Sequence, residues 1–276
     1  MRIVSLLPSA TEALFALGLG EQLVAVTHEC DYPPEAAALP IVTRSSLALA
    51  GRDSGAIEAE VAKAAAEGRS LYEVDTAAIR ALEPDLVVTQ DVCRVCAVPS
   101  SQVEAELVGM RIIRQHPHSL ADVLADIEEL AAAAGADSAP VTRDLRARLD
   151  RAAAAARARP RVRGVFLEWL DPPYAAGHWT PDLLDLAGID DPLARPGVPS
   201  VAGSWDEVVA ARPQVLVLAP CGFDRTRALE EAARVQDQVD RVGARQVAVL
   251  DGSAYFNRPG PRLVDSLEVL VATVNC

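Results

Sequence analysis

The sequence contains one pattern twice, and this repetition limits the folds that the chain can adopt. Residues 79–88 read Ile-Arg-Ala-Leu-Glu-Pro-Asp-Leu-Val-Val, and residues 208–218 read Val-Val-Ala-Ala-Arg-Pro-Gln-Val-Leu-Val-Leu. Each copy predicts a helix that ends before a proline, a buried strand, and then a loop that contains cysteine. Residues 162–186 likewise repeat the strand, loop and helix with which the chain opens. Two α/β lobes of similar design are the simplest explanation.

The opening of the chain predicts a strand, a helix and a second strand. Ser9 and Glu12 form a capping-box pattern at the start of the helix, and Gly18 and Gly20 predict its end. The short apolar run 23–27 follows as the next strand. This alternation favours parallel strands, so the predicted fold class is α/β, with two Rossmann-like lobes around central parallel sheets.

A helical stretch lies between the two predicted lobes. We expect an N-terminal α/β lobe over residues 1–136, a linking helix over 137–160 and a C-terminal α/β lobe over 161–276. Apolar residues recur along the linker at spacings near four, and its length of roughly 28 Å suits a long rigid α-helix. Because ligands bind at the C-terminal ends of parallel strands, we expect a ligand cleft between the lobes.

Composition and charge exclude some classes of function. The chain has 276 residues, with 26 basic and 39 acidic side chains and a net charge of −13. An acidic surface repels phosphate backbones and anionic lipids, so we expect no nucleic-acid partner. No apolar run approaches the roughly 20 residues that cross a bilayer, so we expect no membrane insertion.

The first residues bear on the cellular location. The sequence enters a predicted strand directly after Arg2, without the basic, apolar and small-residue regions of a secretory signal. We therefore expect a cytoplasmic protein. A mature chain whose leader had been removed would look the same, and it would lie in the periplasm or at the cell surface.

Aromatic side chains are scarce, and they collect in the loops that follow predicted strands. They make up 4% of the chain, whose core is built from Ala, Val and Leu. Rigid aromatic surface beside a few polar groups is typical of pockets for large, partly apolar ligands. The alternative is that these rings only seal the loops against the core. The candidate ligand-binding residues are Tyr32, Tyr72, Glu168, Trp169, His178, Trp179, Phe223, Tyr255, Phe256 and Arg258.

Thiol and imidazole side chains form a second candidate group. Cys93 and Cys96 have the C-x-x-C spacing of a metal chelate or a redox pair. Thiol and imidazole side chains together suit zinc or an iron–sulfur cluster. The candidate metal ligands are His28, Cys30, Cys93, Cys96 and Cys221. A thiol that touches the ligand and plain packing of buried cysteine are the alternatives. His116 and His118, on either side of a proline, are interpreted as turn residues.

The motifs of common enzyme classes are missing from the sequence. It contains no nucleophile elbow, phosphate-binding glycine loop, zinc-protease helix or Ser/His/Asp pattern. We therefore expect a binding protein rather than an enzyme. An enzyme that uses a metal or iron–sulfur centre at the cleft cysteines is the alternative.

Five segments carry a resemblance that spans the chain. They are residues 2–12 (Arg-Ile-Val-Ser-Leu-Leu-Pro-Ser-Ala-Thr-Glu), 31–34 (Asp-Tyr-Pro-Pro), 82–87 (Leu-Glu-Pro-Asp-Leu-Val), 212–214 (Arg-Pro-Gln) and 255–262 (Tyr-Phe-Asn-Arg-Pro-Gly-Pro-Arg). In these the sequence resembles the periplasmic cobalamin-binding proteins of ABC importers, within the helix-linked (class III) solute-binding proteins. The resemblance implies two α/β lobes joined by a rigid helix, with the ligand held between them.

The resemblance also implies a ligand and a partner. The ligand would be cobalamin or another corrinoid or tetrapyrrole, with His178 or His28 able to ligate cobalt. A conventional role in an ABC importer would add a permease as partner, and Asp206 or Glu207 could serve as one of its acidic docking residues.

Overall fold

The computed structural model describes residues 1–48, 51–91, 103 and 107–274. The chain divides into two compact units, as the internal repeat predicts. Each unit is assembled from three stretches of the sequence. Unit 1 comprises Met1–Ala50, Glu60–Pro117 and Ala121–Asp144, and unit 2 comprises Gly51–Ala59, His118–Leu120 and Leu145–Cys276.

Unit 1 is built around a parallel sheet. Its strands are β1 (Ile3–Ser5), β2 (Leu23–Val26), β3 (Thr43–Ser45), β4 (Tyr72–Val74), β5 (Leu86–Gln90) and β6 (Ile112–Gln115). Four of them form the central sheet in the order β2-β1-β5-β6, with all neighbours parallel, and β3 pairs with β4 in an antiparallel pair. Every residue of β1 and β5 is buried, as expected for strands that are covered on both faces.

Helices cover this sheet. They are α1 (Pro8–Ala16), α2 (Ser54–Ala66), α3 (Thr76–Ala81) and α4 (Leu120–Ala134), with short 3₁₀ turns at Gly20–Gln22 and Pro34–Ala38. The first stretch of α2, up to Ala59, and the first residue of α4 belong to unit 2. The core of unit 1 includes Val4, Leu6, Ile79 and Val87.

The capping box predicted at the start of α1 is wrong. The helix begins at Pro8, Leu7 is its N-cap without a side-chain hydrogen bond, and both Ser9 and Glu12 are buried within the helix. Proline is favoured at the first helical position, because an N–H group there has no hydrogen-bond partner within the helix and proline has no N–H group. Pro8 therefore sets the helix start one residue before Ser9.

The predicted linking helix forms as α5 (Ala139–Arg157). Its 19 residues correspond to roughly 28 Å. The division between the two units falls within it, after Asp144. In its unit 2 portion, the Arg148 guanidinium donates to Glu268, with Nη2 to Oε2 at 2.7 Å.

Unit 2 is built around a mixed sheet. Its strands are β7 (Val162–Leu170), β8 (Pro173–Ala175), β9 (Ile189–Asp190), β10 (Val215–Leu218) and β11 (Gln246–Val249). The sheet order is β11-β10-β7-β8, and β9 pairs with the start of β7. Strands β7, β10 and β11 are parallel, whereas β8 is antiparallel to β7. The predicted central parallel sheet therefore forms from β7, β10 and β11, and β8 is an antiparallel edge strand because β7 turns directly back into it.

The helices of unit 2 follow its strands. They are α6 (Thr180–Leu186), α7 (Trp205–Ala211), α8 (Arg225–Arg234), α9 (Gln236–Val242) and α10 (Leu263–Thr273), and a π-helical turn covers Gly252–Phe256. Ser204 and Glu207 form a complete capping box at the start of α7. In the described part of the chain, no helix is both long enough and apolar enough to cross a membrane.

Asp126 on α4 predicts a pH dependence of stability. Burial, and then the nearby Glu129 and Asp122, raise its pKa to about 7. The folded protein therefore holds this proton more tightly than the unfolded chain, and the free energy of unfolding falls as pH rises from about 4 to 7. We expect Asp126→Asn to raise the free energy of unfolding at pH 8 by about 2 kcal/mol, after allowance for partial solvent exposure.

Thermal denaturation at pH 4, 6 and 8 checks this expectation. The stabilising effect of Asp126→Asn should shrink toward pH 4, where the carboxyl is protonated in the native protein. Glu129→Gln is the comparison, since Glu129 is exposed and is the second cause of the raised pKa; its removal should stabilise the protein at pH 8 in the same direction but less than Asp126→Asn. Equal stability of Asp126→Asn and the native protein at pH 8 would contradict the assignment.

Candidate ligand-binding site

The end of strand β7 and the loops after β10 and β11 lie at one edge of the unit 2 sheet. Leu218 of β10 pairs with Leu167 of β7 and with Val249 of β11, and all three strands run in the same direction. Their C-terminal ends therefore lie side by side. Glu168 and Trp169, expected from the sequence in a loop, belong to the last part of β7, beyond its pairing with β10. Cys221 to Phe223 follow β10, and Gly252 to Arg258 follow β11.

Trp169 and Phe223 form an aromatic pair at this edge. Their ring centroids are 5.2 Å apart with an interplanar angle of 47°. The Arg227 guanidinium lies 4.8 Å from the centroid of the Phe223 ring. Trp169 is half-buried, and its Nε1 has no hydrogen-bond partner among the described residues. Trp169 is the more exposed ring of this apolar wall, whereas Phe223 is buried, with the Arg227 cation over its ring.

A second row of rings is formed by His118, His178 and Trp179. The centroids of His118 and His178 are 5.8 Å apart at an angle of 25°, and those of His178 and Trp179 are 5.4 Å apart at 26°. His178 has φ of 50°, a left-handed conformation that is uncommon for residues other than glycine. Such backbone strain collects at functional positions, where the surroundings hold it in place.

Trp179 connects this row to the loop after β11. Its Nε1 donates to the carbonyl oxygen of Phe256 at 2.8 Å. The Phe256 ring packs edge-on against Phe166 of β7 at 4.9 Å and lies 6.5 Å from the ring of Tyr255. The loop that contains Tyr255 and Phe256 is thus held against the strand ends by both a hydrogen bond and ring packing.

Glycine permits the close approach of two of these loops. A Cβ atom on Gly252 would lie 2.1 Å from the carbonyl oxygen of Pro220, and one on Gly177 would lie 2.4 Å from the backbone nitrogen of Ser200. Neither contact is possible for another residue without a backbone shift. Gly252 therefore fixes the distance between the loops after β10 and β11.

Two charged candidates lie within the same region. The Glu168 carboxylate accepts the Gly177 N–H at 3.3 Å and a hydrogen bond from Ser200, while burial raises its pKa. Arg258 is buried, and its Nη2 donates to Ser253 Oγ at 3.3 Å. One acidic and one basic side chain could therefore hold polar groups of a ligand beside the aromatic rings.

The remaining ligand-binding candidates belong to unit 1. Tyr32 is exposed, whereas Tyr72 is buried in the core of unit 1. The His28 ring lies 6.0 Å from the Tyr72 ring, and its Nδ1 is 2.8 Å from Thr43 Oγ1. His28 and Tyr72 are thus brought together.

The proposed metal ligands receive no support. Cys93 and Cys96 lie outside the described residues. Cys30 is buried with its Sγ 3.1 Å from Thr11 Oγ1, and Cys221 is half-buried with its N–H donating to the Glu168 carbonyl. Across residues 1–48, 51–91, 103 and 107–274, no group of three or more His, Cys, Asp or Glu side chains could hold a metal ion.

Two residues of this edge were not selected from the sequence as ligand-binding candidates. His118 was interpreted as a turn residue, and its ring instead joins the stack with His178. Arg227 was not predicted as a ligand-binding residue, although it follows Phe223 by four residues at the start of α8. Because Phe223 precedes the helix, this spacing does not place the two side chains on one helix face, and their contact required the tertiary structure.

The same fold occurs in solved structures of other proteins. Solved structures with the same fold include the periplasmic vitamin B12-binding protein of Vibrio cholerae, with TM-score 0.70, 24% identity and coverage of 99% of this chain and 96% of that chain. A periplasmic haem-binding protein from Roseiflexus sp. RS-1 has TM-score 0.68, 24% identity and coverage of 99% and 97%. The fold is that of the two-lobed periplasmic binding proteins.

Sequence comparison points to one family within this class. A curated vitamin B12-binding protein of Vibrio cholerae is 27% identical over 282 aligned positions, covering 97% of this chain and 86% of the relative. The resemblance to the cobalamin-binding periplasmic proteins is therefore confirmed over nearly the whole chain. No family model matches the sequence. These relatives are named as binding proteins rather than enzymes.

Proposed function

We propose that the chain binds a bulky, partly apolar ligand of the tetrapyrrole type, with cobalamin as the first candidate. The observation that supports this most directly is the two ring pairs in unit 2, Trp169 with Phe223 and His178 with Trp179. The Glu168 carboxylate accepts the N–H of Gly177, the residue before His178. Flat apolar walls with a few polar groups suit a large macrocycle that bears polar substituents.

The names of related proteins support the same ligand class. The Vibrio relatives are named vitamin B12-binding proteins, and two solved neighbours are described as haem-binding. Both ligands are metal-bearing tetrapyrrole macrocycles. Within the proposal, His178 is a candidate axial ligand of the bound metal, and Arg258 is a candidate contact for polar groups at the edge of the macrocycle.

Partner, location and turnover are further parts of the proposal. Solved neighbours are described as periplasmic, and one from Listeria monocytogenes is described as an ABC transporter substrate-binding protein. These descriptions favour a periplasmic or cell-surface location over the cytoplasm, and an ABC permease as partner. We propose binding without turnover, because the relatives are binding proteins. Cell fractionation with a specific antibody tests the location.

Titration with hydroxocobalamin tests the ligand. We expect saturable 1:1 binding with a dissociation constant in the micromolar range or below, and a shift in the visible spectrum if an imidazole replaces the cobalt-bound water. Isothermal calorimetry measures the affinity, and a parallel titration with haemin compares the two macrocycles. No calorimetric signal and no spectral change with either compound at micromolar protein would rule out the tetrapyrrole proposal.

A further inference from the structure

Glu231 of α8 is a charged side chain with almost no solvent exposure. It is 1% exposed, and on its own helix it lies 3.4 Å from Arg227 and 3.3 Å from Arg234. Its Oε2 also accepts the backbone N–H of Ser54 at 2.9 Å. A buried carboxylate is costly unless it is paired and hydrogen-bonded, so these contacts act as one unit.

Ser54 lies in a stretch that joins unit 2 from far away in the sequence. Residues 51–59, which include the first six residues of α2, belong to unit 2, whereas the rest of α2 belongs to unit 1. Arg227 Nη2 donates to the carbonyl oxygen of Arg52, and the Tyr174 hydroxyl donates to Glu58 at 2.8 Å. Burial and the Glu58 carboxylate raise the pKa of Tyr174 to about 12, which keeps this hydroxyl a donor.

The same arginine reaches the aromatic pair of the candidate site. Arg227 lies over the Phe223 ring at 4.8 Å, and Phe223 lies 5.2 Å from Trp169. Its guanidinium therefore contacts three partners at once: the Phe223 ring, the Glu231 carboxylate and the Arg52 carbonyl. A planar guanidinium can stack on a ring and donate at its edge at the same time.

We propose that Glu231 and Arg227 are positioning residues, which brace the Phe223 wall against the backbone of residues 52–54. The inference rests on the proposed function, because it assigns Phe223 to the ligand wall. If residues 52–54 detach, Glu231 loses a donor and Arg227 loses an acceptor. The guanidinium then leaves the ring, and Phe223 loses the group that holds it. By linkage, ligand that favours the braced Phe223 must also favour the attached segment.

Ser54→Pro tests the brace with little disturbance of α2. Ser54 is the first helical residue, where proline is favoured, and Asp53 caps the helix by accepting the Ala56 N–H at 2.8 Å. Proline removes the N–H that Glu231 accepts. Ser54→Ala is the matched control, because it keeps that N–H.

Hydrogen exchange in the ligand-free protein is the primary measurement. We expect peptides that cover residues 220–228 to exchange about tenfold faster in Ser54→Pro than in Ser54→Ala, as loss of a charge-assisted hydrogen bond predicts. Equal exchange of residues 220–228 in the two variants overturns the proposal. If Ser54→Pro fails to fold, Glu231→Gln replaces it, with the same expectation relative to the native protein.

Hydroxocobalamin provides a second measurement that separates the two proposals. We expect Ser54→Pro to bind it about fivefold more weakly than Ser54→Ala, with the same melting temperature within a few degrees. Equal affinities overturn the link to the ligand wall. If the native protein binds neither hydroxocobalamin nor haemin, the proposed function fails, and the exchange of residues 220–228 still decides whether the brace exists.

Discussion

Replacement of Gly252 with alanine should destabilise unit 2 by about 3 kcal/mol, because the new methyl group has no room. Its Cβ would lie 2.1 Å from the Pro220 carbonyl oxygen and 2.7 Å from that of Ala219. Both obstacles are backbone atoms, which cannot rotate away as a side chain can. The loops after β10 and β11 must separate, and both carry residues of the proposed ligand wall.

Chemical denaturation and hydroxocobalamin titration together measure this effect. We expect a lower denaturation midpoint for Gly252→Ala and loss of detectable binding. Gly203→Ala is the control, since its nearest obstacle is the end of the Glu207 side chain at 3.1 Å, which can move. A Gly252→Ala protein with native stability would show that the two loops are less closely packed than the structure indicates.

Replacement of Trp169 with alanine should weaken hydroxocobalamin binding by about 10- to 100-fold, the range expected when a central aromatic residue of a binding site is truncated. Trp169 is half-buried and faces Phe223, so much of its remaining surface is available to a ligand. Its stability effect should be smaller than that of truncating Phe166, which is fully buried in the core.

Trp169→Phe distinguishes ring stacking from simple loss of volume. It retains an aromatic face at the same position, so we expect it to recover most of the lost affinity. Calorimetry on both variants, after their melting temperatures have been compared, provides the measurement. Native affinity in Trp169→Ala would mean that the ligand does not contact this wall and would remove it from the proposed site.

Two charged residues of unit 2 connect the candidate site to a segment that is distant in the sequence. Arg227 and Glu231 link the candidate wall to residues 52–54. Ser54 and Glu231 are 177 positions apart in the sequence. A ligand site that depends on such a distant segment is sensitive to substitutions that never touch the ligand. Variants of residues 51–59 therefore deserve the same binding assays as variants of the wall.

Local patterns in the sequence were sufficient to predict the two α/β units. Apolar runs before and after Pro84 and Pro213 predicted two α/β units, and the structure has β5 at Leu86–Gln90 and β10 at Val215–Leu218. The same patterns placed Trp169 and Phe223 in loops after strands. Phe223 lies in such a loop, whereas Trp169 lies within β7. Because parallel strands end at one edge, strand position alone was enough to group these residues.

Contacts between distant residues required the tertiary structure. The stack of His118 on His178 and the packing of residues 51–59 into unit 2 have no local signature. Periodicity reports which face of an element is buried, but it does not report what covers that face. The sequence by itself determined two α/β units with aromatic residues near their strand ends. The tertiary structure decided which segments touch, since that depends on packing between parts of the chain that are up to 177 residues apart.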